Sequence, residues 1–199
     1  MSPDPRTAIL NAAGEVFARF GFKKASVEDI ARRAGVGKGS IYLHFENKEA
    51  LFEAVVRLSH ERSLSELKAS VRRATTPEAQ VRAFIRCKME QHTRAPVGQR
   101  IEMSTLFELG TQVMHLVPQM VEVDAAVLAH ILDEGVAQGV FSVASSQQVA
   151  RGFVELLMLL APKMMTQEPD ARVTEALDAS FEVFIRGLAA PPLLSRPKG

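Results

Sequence analysis

The stretch from Ser26 to Lys48 constrains the fold more than any other part of the sequence. It contains two short helical segments on either side of a turn at Gly35. Ser26 followed three residues later by Asp29 is a pattern typical of a helix start, and glycine permits a tight turn that a Cβ atom would obstruct. The second segment, about residues 38–44, is short, polar and basic. The pattern predicts a helix-turn-helix.

Apolar residues recur at helical spacing along almost the whole chain, and no segment shows the alternation of a half-buried strand. The 199 residues are 47% hydrophobic, enough for a substantial core. We therefore predict an all-α fold, with an N-terminal three-helix helix-turn-helix domain and a C-terminal helical domain for ligand binding and dimerisation. The expected boundaries are 1–47 for the first domain, 48–190 for the second, and 191–199 for a flexible tail.

Local signals predict where most helices begin and end. Asp4 and Pro5 open the first helix, and Gly21 stops it. Asn47 caps a long helix that reaches about residue 73, and Ser145 or Ser146 caps a strongly apolar one. The remaining expected helices cover about residues 78–92, 97–109, 118–139 and 170–189.

Charge and composition narrow the class of protein. The net charge is only +1, yet residues 1–73 hold 13 basic and 9 acidic side chains, which fits a head that binds nucleic acid. A single cysteine fits a reducing cytoplasm. The longest apolar run, residues 153–161, contains Glu155 and is too short to span a membrane. The five histidines show no metal-ligand spacing, and no catalytic set is visible, so we expect no cofactor and no enzyme activity.

The polar second segment has the chemistry of a DNA-reading helix. Lys38 lies at its N-terminal end, where side chains reach base edges, and lysine can donate hydrogen bonds to guanine. Ile41 and Phe45, four residues apart, should anchor the segment to the core. Donors suited to phosphate oxygens follow at Ser40, Tyr42, His44 and Lys48.

Residues 9–51 closely resemble the DNA-binding domain of TetR-family transcriptional regulators. The shared pattern is carried by Phe17-x-x-x-Gly21-Phe22, by Ser26-Val27-x-Asp29-Ile30-Ala31-x-x-Ala34-Gly35-Val36, and by Lys38-Gly39-Ser40-Ile41-Tyr42-x-His44-Phe45-x-x-Lys48-x-x-Leu51. The sequence departs from the family at Gly37, where the family often has Ser or Thr. The resemblance implies DNA contacts at Ser26, Lys38, Gly39, Ser40, Tyr42, His44 and Lys48.

The last two helices are apolar on more than one face, and a helix apolar on both sides is buried on both sides. Both faces can pack within one chain, or one face can meet a second copy. We expect a homodimer in which two helices of each chain form a four-helix bundle, as the family resemblance also implies. The expected interface residues are Phe153, Leu157, Leu160, Val173, Leu177, Phe181, Phe184 and Leu188.

The resemblance places a small-molecule site among the middle helices. Methionine and phenylalanine suit an adaptable apolar pocket, although on helical faces they are more often core. Glu155 interrupts an apolar run, and a buried carboxylate needs a partner. It can bind a cationic ligand or form a structural or intersubunit ion pair. The candidate ligand-binding residues are Phe84, Met89, Met103, Phe107, Met114, Met120, Glu155, Met158 and Met165.

These features predict a cytoplasmic, dimeric repressor that binds a palindromic double-stranded DNA operator and is released by an unknown small apolar effector. The alternative is a DNA-binding regulator without an effector, controlled by a protein partner or constitutive. A helical-bundle enzyme with a vestigial reading helix is a third hypothesis. The intact Lys38, Tyr42, His44 and Lys48 argue against it.

Overall fold

The computed structural model describes residues 4–93, 103–166 and 170–190, apart from the side chains of residues 162–166. Most of these residues are helical, and the only β-pairing among them is an isolated bridge between Phe141 and Ala189. The all-α prediction is confirmed. The helices are α1 Pro5–Lys24, α2 Val27–Ala34, α3 Lys38–His44, α4 Lys48–Arg72, α5 Pro77–Thr93, α6 Met103–Val113, α7 Val117–Ala137, α8 Ser146–Thr166 and α9 Ala171–Leu188, with a short 3-10 turn, Met114–Leu116, before α7.

The chain forms two compact units. Unit 1 comprises residues 1–65, 92–120 and 161–167, and unit 2 comprises residues 66–91, 121–160 and 168–199. Unit 1 therefore holds all of α1, α2 and α3. The domain boundaries expected at residues 47 and 190 stay predictions, and the tail at 191–199 lies outside the described residues.

Side-chain caps mark the starts of several helices. Asn47 Oδ1 accepts a 2.7 Å hydrogen bond from the Ala50 amide, and Asp170 Oδ1 accepts one of 2.9 Å from the backbone amide of Arg172. Of the two serines considered before α8, Ser145 is the cap, because its Oγ accepts a hydrogen bond from the Gln148 amide. These side chains satisfy N–H groups that have no partner within the helix.

The core of unit 1 joins the first three helices to the start of α4. Ile9, Ile30, Ile41 and Leu51 are almost completely buried, one from each of these helices. The Phe17 ring supports them from the middle of α1. The predicted anchoring of the reading segment through Ile41 and Phe45 is confirmed, since both side chains are buried.

Helix α1 bends at Gly21 and continues to Lys24, where the sequence predicted a stop. Gly21 has a φ of 75°, a conformation that glycine adopts without the steric cost of a Cβ atom. The bend takes the Lys23 amide out of the regular helical hydrogen-bond pattern. Glu108 Oε1 of α6 accepts a hydrogen bond from this amide at 2.5 Å. Helix α6 therefore contacts α1 where α1 bends.

Unit 2 has an apolar core around Val81 and Phe84 of α5 and Leu128 of α7. Within this core, Lys88 Nζ lies 2.6 Å from Asp124 Oδ2, and both side chains are at least 94% buried. A pair of buried charges is tolerated because each neutralises the other.

No helix in the described ranges is both long enough and apolar enough to cross a bilayer. Across the same ranges, no three His, Cys, Asp or Glu side chains are grouped as metal ligands.

Candidate nucleic-acid interface

Helix α2 begins with a cap built by two side chains. Ser26 Oγ accepts a 3.0 Å hydrogen bond from the Asp29 amide and donates one of 2.6 Å to Asp29 Oδ2. The predicted cap is confirmed. Because its hydrogen is given to Asp29, Ser26 needs to reorient that bond before it can donate to a phosphate oxygen.

The turn between α2 and α3 depends on Gly35. Its φ of 70° and ψ of 29° lie in the left-handed region, and its amide donates hydrogen bonds to carbonyl oxygens in the last turn of α2. Gly37 then precedes α3 in an extended conformation without a side-chain cap. A Cβ atom at Gly37 or Gly39 would meet no atom within 4 Å, so the chain itself does not require glycine there.

Helix α3 presents a polar face to solvent while Ile41 holds its other face in the core. Tyr42 is 48% exposed, and Lys38, Gly39 and His44 are also exposed. Ser40 is half-buried. Exposed donors on a short helix with a fixed inner face are the arrangement that a reading helix needs for groove contacts.

A partner of Lys38 was missed by the sequence reasoning. The ammonium group pairs with the Glu28 carboxylate of α2, and both side chains are about half exposed. This hydrogen bond lowers the pKa of Glu28 and raises the pKa of Lys38 from their ordinary values. The ten-residue separation crosses the turn, so only knowledge of the angle between α2 and α3 would have revealed the pair.

Lys48 is the last residue of the reading unit, residues 26–48, and it contacts the chain just before the first residue of that unit. Its Nζ donates hydrogen bonds to the carbonyl oxygens of Phe22 at 2.9 Å and Ala25 at 3.2 Å. The same ammonium lies 4.5 Å from the centre of the Phe22 ring. An ammonium has three donors, so one remains for the predicted phosphate contact.

The two arginines of α2 form ion pairs at its surface. Arg32 pairs with Asp29 and Arg33 pairs with Glu15 of α1, and both arginines are more than half exposed. These two side chains therefore form part of the solvent-exposed face of α2. Such exposed pairs contribute little to stability.

The candidate effector residues are divided between the two units, and their joint role stays a prediction. Met103, Phe107 and Met114 of unit 1 are mostly exposed, and Met120 is half-buried. In unit 2, Phe84 is fully buried, and Met89 and Met158 are half-buried. The side chain of Met165 lies outside the described residues.

The interpretation of Glu155 as a buried carboxylate is wrong. Its side chain is 56% exposed and lies 3.7 Å from Arg151, one turn earlier in α8. It is exposed because α8 presents its Leu156 side to solvent, and Glu155 borders that side. The carboxylate therefore needs no buried partner.

The expected dimer face stays a prediction. Phe153, Leu157 and Leu188 are at least 92% buried within a single chain. The Phe153 ring stacks on Phe184 with centroids 4.1 Å apart and meets Phe181 edge-on at 6.0 Å. The three phenylalanine rings therefore join α8 to α9 within one chain. Leu160, Val173 and Leu177 are half-buried, whereas Leu156, Leu159 and Val183 are 61%, 76% and 71% exposed.

Comparison with known proteins gives a specific match to the reading unit. The family model of bacterial regulatory proteins, tetR family, matches residues 9–55. The HTH-type transcriptional regulator RutR of Escherichia coli K12 is 38% identical over 96 residues, which are 48% of this chain and 45% of RutR. UidR of the same strain is 39% identical over 66 residues, 33% of this chain and 34% of UidR. The chain thus spans less than half the length of these curated relatives.

Solved structures resemble the chain over nearly its whole length. A TetR-family transcriptional regulator from Pectobacterium atrosepticum has a TM-score of 0.76 and 25% identity, with 94% of this chain and 95% of that chain covered. FadR from Bacillus subtilis in complex with stearoyl-CoA has a TM-score of 0.65 and 19% identity, with 92% and 98% covered. The second likeness is one of fold alone.

Proposed function

Because the chain belongs to the tetR family of bacterial regulatory proteins, we propose that it is a dimeric repressor that binds a palindromic operator and is released by a small apolar effector. The observation that carries the proposal is the complete reading unit. Helix α3 is anchored by the buried Ile41 and leaves Lys38, Tyr42 and His44 exposed. DNA binding and transcription regulation are the family's activity, whereas operator, effector and oligomeric state are the proposed part.

Base reading is assigned to the N-terminal end of α3. Lys38 can donate to guanine O6 and N7, and Gly39 allows close backbone approach. Ser26, Ser40, Tyr42, His44 and Lys48 are assigned to phosphate oxygens, which fix the position of the helix but carry no sequence information.

The proposed dimer face is the exposed apolar surface of α8 and α9. Leu156, Leu159 and Val183 lie in solvent in the single chain, and large exposed apolar side chains grouped on neighbouring helices mark an interaction surface. The exposed small residues Ala176 and Gly187 of α9 allow backbones to approach. An isologous dimer would present two copies of α3 about 34 Å apart, one turn of DNA.

The effector is proposed to be apolar because the candidate lining residues are methionines and phenylalanines. The FadR neighbour, which is similar in fold, was solved in complex with stearoyl-CoA, and this supports an apolar effector for this chain. An effector releases the operator only through its higher affinity for the released state, and a hundredfold preference per site corresponds to about 2.7 kcal/mol.

The test is a fluorescence-anisotropy titration of labelled duplexes that tile the DNA upstream of the protein's own gene and of its neighbours. We expect one duplex containing an inverted repeat to bind at least about a thousandfold more tightly than unrelated DNA. The Lys38→Ala variant, which keeps the anchoring residues, is the control and should lose most of that ratio. Absence of binding to every duplex at moderate salt would refute the proposal.

A further inference from the structure

Phe45, which directly follows α3, contacts a cationic side chain from the first turn of α1. Its ring is 5% exposed, and the guanidinium carbon of Arg6 in the first turn of α1 lies 5.4 Å from the ring centre. The His44 ring flanks the same phenylalanine with a centroid distance of 6.3 Å. Arg6 and His44, 38 positions apart in sequence, therefore lie beside one aromatic ring at the end of α3.

The charge of Arg6 is not neutralised by the part of the protein that the structure describes. Arg32, Arg33 and Lys38 of the same unit each pair with a carboxylate, whereas Arg6 is exposed and has no carboxylate within ion-pair distance among the described residues. A positive charge without a counterion in the folded protein is available for a phosphate.

The aromatic contact prepares the guanidinium for such a ligand. Stacking on a ring uses the face of the planar group and leaves the N–H donors at its edge. Those donors match two oxygens of one phosphate. Because the ring already restricts the side chain, less conformational entropy is lost when the phosphate binds.

The backbone of α1 favours the same kind of ligand. Asp4 occupies the cap position but makes no side-chain hydrogen bond to the helix. The first-turn N–H groups of this 20-residue helix are therefore not capped by that side chain, and the positive end of the helix dipole lies beside Arg6.

We propose that Arg6 is a further DNA-binding residue, which contacts a backbone phosphate next to the one assigned to His44. The inference rests on the proposed DNA interface and extends it from α2 and α3 to the first turn of α1. It assigns no role in base reading to Arg6, because phosphate contacts position the protein without specifying sequence.

Arg19 provides a matched control within the same helix. Its guanidinium carbon lies 5.2 Å above the Phe20 ring, so it makes the same type of cation–aromatic contact. It is 13 residues further along α1, which corresponds to about 20 Å along the helix axis and to a different face. Replacing either arginine with glutamine therefore removes one positive charge and one cation–aromatic contact.

The experiment compares Arg6→Gln, Arg6→Lys and Arg19→Gln with the parent in anisotropy titrations over a series of salt concentrations. Each protein is tested on the tightest-binding duplex and on an unrelated one, and its folding is checked by circular dichroism and thermal unfolding. Arg6→Gln should reduce the slope of log affinity against log salt by about one unit per subunit, or about two units for the proposed dimer, and weaken binding to both duplexes about sixtyfold at 0.1 M salt. Arg6→Lys should retain the slope, and Arg19→Gln should match the parent.

An unchanged slope in Arg6→Gln overturns the inference, even if the variant melts earlier, because a purely structural contact with Phe45 changes stability and not counterion release. An equal loss of slope in Arg19→Gln also overturns it, since the effect would then follow from net charge. If the parent binds no duplex, the proposed function itself fails, which is distinct from either of these outcomes.

Discussion

The ammonium group of Lys48 donates a 2.9 Å hydrogen bond to the carbonyl oxygen of Phe22 and lies 4.5 Å from the centre of the Phe22 ring. Its second hydrogen bond goes to Ala25, just before the Ser26 cap. The first residue of α4 thus ties that long helix to the end of α1 and the start of α2. A shift of α4 would act directly on this corner of the reading unit.

Lys48→Met should weaken both the fold and DNA binding. It retains an apolar stem over Phe22 but removes two charge-assisted hydrogen bonds, so the free energy of unfolding should fall by about 2 kcal/mol. If the third donor of each subunit reaches a phosphate, the salt slope of the proposed dimer should also fall by about two units. Urea unfolding and salt-dependent titration measure the two effects, with the exposed Lys68→Met as control. An unchanged slope would mean that Lys48 acts only within the protein.

Tyr42→Phe should weaken binding to all DNA sequences equally. The hydroxyl is the only group removed, and a typical hydrogen bond contributes about 1 kcal/mol. Because Tyr42 is 48% exposed in the free protein, folding stability should hardly change. Titration against the preferred duplex and single-base variants gives the measurement, and a change in the order of preference would contradict the phosphate assignment.

The Glu28 and Lys38 pair should influence specificity. Lys38→Ala should cost about 1–3 kcal/mol and relax preference at one base position. Glu28→Gln removes a negative charge that holds Lys38 and repels phosphate, so binding to unrelated DNA should become tighter and the specificity ratio should fall.

The matched control for that pair is Glu61→Gln, which removes an exposed carboxylate from α4. Competition titrations with unrelated DNA measure the ratio for all three variants. A rise in specificity for Glu28→Gln, or an equal effect of Glu61→Gln, would argue against the assigned role.

The buried pair of Lys88 and Asp124 gives a test by double substitution. Lys88→Met leaves a buried carboxylate without its cation and should lower the free energy of unfolding by about 3–5 kcal/mol. Lys88→Met combined with Asp124→Leu should recover most of this loss, because the double substitution removes the buried carboxylate together with its cation. Denaturant unfolding checks this, and a double variant as unstable as the single one would contradict the explanation.

Leu159→Glu should convert the proposed dimer to monomers. The side chain is 76% exposed in one chain, so the substitution should leave the fold intact while it introduces like charges across the proposed interface. Sedimentation velocity measures the change, with Val136→Glu, an exposed apolar position of α7, as control. A parent protein that is already monomeric would refute the dimer directly.

The helical character of the chain and the reading unit are encoded by local patterns in the sequence. The Ser26 cap, the turn at Gly35 and the Asn47 cap were all predictable, because each depends on hydrogen bonds or dihedral angles within a few residues. The burial of Ile41 and Phe45 followed from their four-residue spacing.

Which side of an apolar helix is covered depends on how the helices pack against each other. Leu156 and Leu157 differ by about 100° around α8, and both have the same hydropathy, yet packing within the chain buries Leu157 and leaves Leu156 exposed. The partners of Lys48 and Arg6 could not be predicted from the sequence for the same reason. Their contacts, 26 and 39 residues away in sequence, form only when the helices pack, and no local pattern encodes the angle at which they do so.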